Sequence, residues 1–192
     1  MNTMQRAYKY RIYPTAEQQS ILCQQFGIGR FVFNFILDRK KEEYKAYKTW
    51  QETQDGEKPK GKSTFDYCKG LTALKKELEW VGDAGSQTIQ QEVLHVFSAF
   101  DKFYSILKER KAKGQKLTNN KGKLIGFPRY KSRKDRQSLS YPQGVKVHFD
   151  KKTVFIPKLG KVEAVLHREF IGHREFIGHR EFIGHREFTG TI

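Results

Sequence analysis

Apolar and polar residues alternate in the stretch AYKYRIY, residues 7–13. Because successive side chains of a strand point to opposite faces, the alternation predicts a β-strand, and Lys9 and Arg11 give it one basic, partly exposed face. The following residues, PTAEQ, predict the start of a helix, with Thr15 as the N-cap and Gln18 at the third helical position. This spacing is that of a capping box.

The first helix is predicted to end near Phe26, with Ile21, Leu22 and Phe26 buried. Gly27–Gly29 then interrupts the pattern, and a second apolar stripe starts near Arg30. Helix, glycine-containing break and helix give an outline similar to a helix-turn-helix. Many helical hairpins share this outline, so the outline does not by itself indicate DNA binding.

Two further helices follow a polar loop at residues 52–63, which contains Gly and Pro. One is predicted from about Thr64 to Trp80, and the next begins after VGDAGS, where Ser86 is a candidate cap. The last helix carries His95, which we predict to be packed or at the surface rather than a ligand. Its long apolar stripe predicts burial of Ile89, Val93, Val96, Phe97, Phe100, Phe103, Tyr104 and Leu107.

Strand patterns return after residue 140 in VKVHF, TVFIP and KVEAVL, and the DKK between the first two predicts a hairpin. The N-terminal strand needs partners, and only these segments supply them. We therefore predict an α+β fold in which a small β-barrel or sheet is interrupted by a helical domain. The predicted division is 1–14 for the first strand, 15–110 for the helical domain with its helix-turn-helix-like part at 15–48, 111–166 for the basic segment and strands, and 167–192 for a repetitive tail.

The charge of the chain narrows the choice of partner. Its 192 residues include 37 Lys and Arg against 21 Asp and Glu, a formal net charge of +16. This excess fits nucleic acid or an anionic membrane surface, and we favour nucleic acid. The two cysteines, Cys23 and Cys68, are isolated, which argues against a disulfide framework or a zinc ribbon and fits reduced thiols in the cytoplasm. The N-terminus lacks a signal-peptide pattern, and the most apolar stretch, FVFNFIL, is too short to span a bilayer.

No catalytic residues are predicted from the sequence. A two-metal site needs converging carboxylates, and the acids here are scattered over helix faces and loops. The GDAG at Gly82–Gly85 resembles an acidic turn at a strand end, but it follows a helix, so we interpret Asp83 as a turn residue. The chain contains no P-loop, HExxH or GxSxG motif.

The densest chemical signal is GFPRYKSRKDRQSLSYPQ, residues 126–143. It overlaps the region Lys108–Arg136, where twelve Lys or Arg face two acids. Aromatic rings can stack on bases while interleaved cations pair with phosphates, and arginine adds a bidentate geometry. The alternative is an exposed basic loop whose aromatic rings belong to the core.

Six segments of the chain, in this order, resemble the N-terminal half of the TnpB/OrfB family of transposon-encoded RNA-guided nucleases, relatives of single-effector CRISPR nucleases. They are AYKYRIYPTAEQ, GRFVFNFILDRKKEEYK, LTALKKELEWV, SQTIQQEVLHVFSAFDKFY, IGFPRYKSRKDRQSLSYPQ and TVFIPKLGKV. The resemblance covers nearly everything up to about His167. It implies an OB-like β-barrel wedge domain interrupted by a helical recognition domain, which together hold guide RNA, the guide–target heteroduplex and a short target-adjacent DNA motif.

The resemblance also implies roles for individual residues. Gln90 corresponds to a recognition-helix position that reads the target-adjacent motif, and Gln143 corresponds to a second reader; a glutamine can pair with a base edge. Lys and Arg residues of Gly126–Arg136 would bind RNA phosphates. The candidate nucleic-acid-binding residues are Lys9, Arg11, Arg30, Asn34, Gln90, Phe127, Arg129, Lys131, Arg133, Lys134, Arg136 and Gln143.

In this family a RuvC-like nuclease with three acidic magnesium ligands and a zinc ribbon follows the wedge domain, and no such residues can be named in this chain. We therefore expect no metal or other cofactor and a truncated, catalytically inactive, cytoplasmic module. Its expected partners are guide RNA, DNA and a full-length homologue, without a membrane. The alternatives are an active transposase or DNA nuclease, a decayed gene product without function, and a generic DNA-binding regulator.

The C-terminal stretch consists of a repeated hexamer. HREFIG occurs three times from His167 to Gly184, and a fourth copy differs only at Thr189. A metal site is disfavoured because this spacing separates strand histidines by about 20 Å and turns helical ones to different sides. A left-handed β-helix is disfavoured by the charged Glu and the few copies. We interpret the repeat as a tandem duplication that forms a poorly ordered tail.

Overall fold

The computed structural model describes residues 8–167 and the backbone of a strand at Arg180–Gly184. A short strand, a helical block and a group of strands follow one another, which confirms the predicted α+β class. The elements are β1 (Arg11–Tyr13), α1 (Ala16–Thr53), α2 (Thr64–Glu77), a 3₁₀ helix (Glu79–Asp83), α3 (Ser86–Ala112), β2 (Gln137–Tyr141), β3 (Lys146–His148), β4 (Thr153–Ile156), β5 (Gly160–Val165) and β6 (Arg180–Gly184).

Helix α1 begins at the predicted capping box. The Gln18 amide N–H donates to the Thr15 hydroxyl at 3.3 Å, and the Thr15 N–H donates to the Gln18 side chain at 3.1 Å. Gln18 also donates to the carbonyl of Lys161 on β5 at 2.8 Å. The cap therefore satisfies orphan donors of the helix and fixes its start against the sheet.

The break predicted at Gly27–Gly29 is wrong, because α1 runs without interruption for 38 residues. A Cβ at Gly29 would lie 3.2 Å from Leu139 Cδ2 and 3.5 Å from Glu92 Oε1. Gly29 therefore serves close packing, and the apolar contacts on either side outweigh the roughly 1 kcal/mol that a helical glycine costs. The predicted burial of Leu22 and Phe26 is confirmed, but Ile21 is exposed because it points away from the sheet-facing side.

By length and composition alone, α1 is long and apolar enough to cross a membrane. Half of its most apolar part is buried inside the protein. A helix whose apolar stripe packs on a core has the same composition. The helix is thus weak evidence for a membrane, although its apolar region extends well beyond the short stretch FVFNFIL.

The boundaries of the later helices differ from the predicted ones. Helix α2 is capped by Ser63 and ends at Glu77, and the residues up to Asp83 form a 3₁₀ helix. The residue before α3 is Gly85, which makes no side-chain cap, so the prediction of Ser86 as the cap is wrong. The Ser86 hydroxyl instead accepts a hydrogen bond from Lys75 Nζ at 2.8 Å, which links α2 to α3.

Two hydrophobic cores lie on opposite parts of α1. The helical core joins α1, α2 and α3 and contains most of the predicted α3 stripe, although Tyr104 is exposed. The sheet core joins the start of α1 to the strands. Its buried members are Leu22, Phe26, Leu139, Tyr141, Val154, Ile156, Leu159, Val162 and Ala164.

The main sheet has four antiparallel strands in the order β1-β5-β4-β3. Ile12 on β1 lies opposite Ala164 on β5, so the prediction that the N-terminal strand pairs after residue 140 is confirmed. The predicted hairpin is also confirmed, with Lys152 in its turn at a φ of 47°. Among the described strands the sheet is open, with β1 and β3 at its edges, and the predicted closed barrel is not observed.

Strand β2 belongs to a separate pair, in which it runs antiparallel to β6. Gln137 lies opposite Gly184 and Tyr141 opposite Arg180, so β6 is part of the third hexamer. The predictions for the rest of the repetitive tail, including its poor order, fall outside the described residues.

Candidate nucleic-acid interface

The densest basic stretch lies along α1. We call residues 126–137 the crossing segment. Asn34 holds its middle, because its side chain accepts from the backbone N–H of Lys131 at 2.8 Å and donates to the Lys131 carbonyl at 3.0 Å. Arg30, one turn earlier on α1, donates to the side chain of Gln137 at 3.2 Å. The crossing segment therefore runs antiparallel to α1.

A second pair of contacts fixes the crossing segment further along α1. The Tyr130 hydroxyl donates to Asp38 at 2.6 Å, and Lys41 Nζ lies 3.5 Å from the centre of the Tyr130 ring. The hydrogen bond to Asp38 raises the pKa of Tyr130, and partial burial lowers the pKa of Lys41. Half of the Tyr130 surface stays exposed, so the ring combines a fixed position with an accessible face.

Residues 132–135 form a tight turn. The Ser132 N–H donates to Asp135 Oδ2 at 2.6 Å, and the Asp135 N–H donates to the Ser132 carbonyl at 3.1 Å. The Gln137 amide closes the turn by donating to the carbonyl of Asp135 at 2.7 Å. Arg133 and Lys134 occupy the two central positions of this turn and are exposed. The turn therefore presents two adjacent cations on a constrained backbone.

The candidate cations of the crossing segment separate into two groups. Arg129, Arg133, Lys134 and Arg136 are exposed. Lys131 instead donates to the buried Glu92 at 2.8 Å, and its ammonium lies 4.3 Å from the centre of the Phe33 ring. Its charge is thus neutralised by a buried partner, and a role of Lys131 in phosphate binding stays a prediction.

Glu92 is a buried carboxylate that the sequence reading did not single out. Besides Lys131 it approaches His95, with 3.4 Å between Oε2 and the ring Nδ1, and His95 Nε2 lies 3.4 Å from the Ser140 hydroxyl. The other carboxylate oxygen, Oε1, is buried without a hydrogen-bond partner and faces Gly29. The sequence indicates the burial of Glu92 through its position, because a residue three positions after Ile89 lies on the same face of the helix.

Phe127 lies in an aromatic cluster of the helical core. Its ring centre is 5.1 Å from that of Phe103, 5.3 Å from Tyr44 and 5.9 Å from Phe100. The contacts with Phe103 and Phe100 are edge-to-face, a geometry that stabilises packing by about 0.5–1.5 kcal/mol per pair beyond burial. This arrangement gives Phe127 a structural role, and base stacking by the same ring stays a prediction.

The two candidate base readers lie around a third glutamine. Gln90 is exposed on α3, and Gln143 is exposed after β2. Gln87, one turn before Gln90 on α3, donates to the side chain of Gln143 at 3.0 Å. The structure therefore brings the start of α3 and the loop after β2 together. The sequence reading missed Gln87, although its spacing of three from Gln90 places both on one helix face.

The remaining candidates lie on the sheet. Arg11 is exposed on β1, opposite Val165 of β5, and Lys9 is exposed just before the strand. Because β1 is an edge strand, these cations lie at the border of the main sheet. Edge positions of this kind favour charged residues, which also prevent pairing with other strands.

The carboxylates near these cations have structural partners. Glu43 pairs with Lys40 at 2.9 Å and accepts from the Tyr67 hydroxyl at 2.7 Å. Asp83, interpreted from the sequence as a turn residue, closes the 3₁₀ helix and accepts from Gln24 at 2.8 Å. Within residues 8–167, no three His, Cys, Asp or Glu residues are grouped so as to hold a metal ion.

Comparison with known proteins identifies relatives of this region. The family described as a helix-turn-helix domain, HTH_OrfB_IS605, matches residues 1–49, which here include β1 and most of the continuous α1. The chain is 29% identical over 155 residues to InsQ of Escherichia coli (strain K12) and 33% identical over 144 residues to a protein of Streptomyces pristinaespiralis. Both relatives carry names that describe an RNA-guided DNA endonuclease.

The matches cover most of this chain and a small part of those two relatives. They include 81% of the chain and 32% of InsQ, and 73% of the chain and 29% of the Streptomyces protein. The chain thus spans about a third of the length of these relatives. It is also 30% identical over 132 residues to the virulence protein VsdF of Salmonella dublin, where the match includes 64% of this chain and 100% of VsdF.

Proposed function

This chain belongs to the TnpB/OrfB family, of which it represents the N-terminal region, and we propose from this premise that it binds nucleic acid, namely a guide RNA and DNA. The observation that carries the proposal is the crossing segment. Its exposed cations, Arg129, Arg133, Lys134 and Arg136, are held on a backbone that Asn34 fixes from α1. Cations on a prepositioned backbone bind phosphates without the entropic cost of ordering a loop.

The exposed ring of Tyr130 lies among these cations. Interleaved rings and cations favour a strand whose bases are accessible, because the rings stack on bases while the cations follow the phosphates. Single-stranded or looped RNA offers such bases more readily than a duplex does. We therefore assign the crossing segment to the guide RNA.

The three glutamines at the start of α3 and after β2 are proposed to contact DNA. Gln90 and Gln143 would read base edges, and Gln87 would hold Gln143 in place through the hydrogen bond between their side chains. The proposal extends to binding only. Glu43 and Asp38 accept hydrogen bonds from tyrosines and Glu92 is buried and paired with Lys131, so we propose no strand cleavage by the described residues.

The proposal is tested by sequencing the RNA that co-purifies with the chain and measuring its affinity over a range of salt concentrations. Replacing the four exposed cations of the crossing segment by Gln is expected to reduce the slope of log affinity against log salt by about 3, because each single-strand phosphate contact contributes about 0.7. The control variant replaces Lys58, Lys60, Lys62 and Lys76 by Gln, which removes the same charge from exposed positions elsewhere.

Specific binding predicts that the control variant keeps the slope of the unmodified chain. If both variants lose the same amount, or if heparin and unrelated RNA bind as tightly as the co-purified RNA, the chain is a nonspecific polycation and the proposal fails. In either case we expect the protein in the cytoplasm, where both nucleic acids are present.

A further inference from the structure

A basic groove lies at the end of α3, outside the crossing segment. It is open to solvent, and its volume is about 450 Å³. One wall is the last turn of α3, and the other is a hairpin that precedes Gly126. The lining residues are Arg110, Lys116, Thr118, Asn119, Asn120, Lys121 and Ile125.

The hairpin wall has a fixed conformation. The Asn119 side-chain oxygen accepts from the backbone N–H groups of Lys121 and Lys123, each at 3.0 Å. Backbone hydrogen bonds from Asn119 to Lys123 at 2.9 Å and from Ile125 to Leu117 at 2.9 Å close the loop. The groove is therefore organised before any ligand arrives, which reduces the cost of binding.

The hairpin is also attached to both of its neighbours. Arg110 Nε donates to the carbonyl of Lys116 at 2.8 Å, which joins the hairpin to α3. Gly126, at a φ of 77°, follows the hairpin, and a Cβ there would lie 2.8 Å from Ile106 Cδ1. The close approach at Gly126 fixes where the hairpin ends and the crossing segment begins.

The lining contains three cations and no acid. Cations in the last turn of a helix offset the helix dipole, and this accounts for Arg110. It does not account for Lys116 and Lys121, which lie on the hairpin and are exposed. Glu109, the nearest acid in the chain, forms an ion pair with Lys113. Three cations around one groove therefore leave an unbalanced positive charge that fits an anion.

We propose that this groove binds the phosphate of one nucleotide in the bound polynucleotide. The guanidinium of Arg110 and the ammonium groups of Lys116 and Lys121 contact the phosphate, while Thr118 and Asn120 supply donors and acceptors for the attached sugar and base. The inference rests on the proposed function and extends it, because it adds a nucleotide site next to the first residue of the crossing segment.

Two measurements on the full chain test the site. In the first, adenosine monophosphate is titrated into the isotope-labelled chain, and shifts are expected at the amides of Lys116, Thr118 and Asn120. In the second, the salt slope for the co-purified RNA is measured for the double variant Lys116→Gln/Lys121→Gln, where a reduction of about 1.4 is expected. The matched control is Lys60→Gln/Lys62→Gln, which removes two exposed charges from another loop.

The outcomes separate the site from the general function. Shifts at the hairpin amides that disappear in the double variant support a nucleotide site in the groove. If RNA binding is nevertheless absent, the proposed function fails, together with the assignment of this nucleotide to a bound polynucleotide, and the nucleotide site itself stands. RNA binding that is lost equally in the double variant and its control, or monophosphate shifts confined to other residues, overturns the site. Retention of Asn119 amide protection in the double variant verifies that the hairpin is still folded.

Discussion

At the scale of single residues, the contacts of Glu92 distinguish a structural cation of the crossing segment from the exposed ones. Its carboxylate is buried to 1% exposure and lies against Lys131 of the crossing segment, His95 of α3 and Gly29 of α1. A buried carboxylate needs a compensating cation. Lys131 therefore has a structural role, although the sequence alone does not distinguish it from the neighbouring cations.

Replacing Lys131 by Gln is expected to lower the free energy of unfolding by about 1–3 kcal/mol, because Glu92 loses its charged partner. The loss is expected below the value for a fully buried pair, since Lys131 is about a third exposed and His95 stays nearby. Urea unfolding measures it. Lys134→Gln is the control, and its free energy of unfolding is expected to change by no more than about 0.5 kcal/mol. If both variants lose the same free energy of unfolding, the Lys131–Glu92 pair does not stabilise the fold.

A second residue-scale prediction concerns alkaline pH. Burial raises the pKa of Tyr141 from 10.0 to about 12, and its hydroxyl donates to the buried Gln25. The folded state therefore keeps the proton longer than the unfolded chain. The contribution of this pKa difference to the free energy of unfolding is complete below pH 10. It is lost as the pH rises through about 12, by about 2–3 kcal/mol. Unfolding measured from pH 9 to 12 should depend less on pH in Tyr141→Phe than in the unmodified chain.

At the scale of elements, α1 determines the positions of everything else. Its first turns enter the sheet core, its middle enters the helical core, and one side carries the crossing segment. A turn at Gly27–Gly29 would place these contacts on two separate helices. Continuity of α1 therefore fixes the angle between the basic segment and the sheet.

The continuity of α1 can be tested with its glycines. Neither Gly27 nor Gly29 has a positive φ, and a Cβ at Gly27 would meet nothing within 4 Å. Gly27→Ala is expected to raise the free energy of unfolding by about 0.5–1 kcal/mol through helix propensity. Gly29→Val is expected to lower it by about 1–3 kcal/mol through overpacking against Leu139. Thermal unfolding checks both, and a destabilised Gly27→Ala would favour a turn at this position.

At the scale of the whole molecule, two cores share one helix. Leu22 and Phe26 belong to the sheet core, whereas Ile28 and Val32, which follow them on α1, belong to the helical core. No loop separates the two sets of residues, because α1 is continuous and adjacent turns of one helix lie about 5.4 Å apart. We therefore expect the two parts to unfold together.

Leu22→Ala tests this coupling. The substitution is expected to cost about 2–5 kcal/mol, because Leu22 is 2% exposed and its removal leaves a cavity in the sheet core. Trp80, which contacts Phe31 near the helical core, reports on the other part. In a Trp50→Phe background, where Trp80 is the remaining tryptophan of the sequence, its fluorescence midpoint in urea should fall together with the midpoint measured by circular dichroism. Two separate transitions would show that the cores are independent domains.

Local patterns in the sequence determined the α+β class, the capping box at Thr15, the hairpin after His148 and the return of the chain to β1. Each of these depends on neighbouring residues, or on the rule that an isolated strand needs a partner. The net charge and the six family segments likewise indicate a nucleic-acid-binding protein from the sequence alone.

Only the tertiary structure decided what the glycines and cations do. Gly29 is a packing position and not a break, because Leu139, far away in sequence, approaches it. Lys131 is an internal partner and Arg133 a surface cation, because Glu92 lies beneath one and not beneath the other. Local composition cannot distinguish these cases, since the energy that separates them comes from burial and pairing between distant segments.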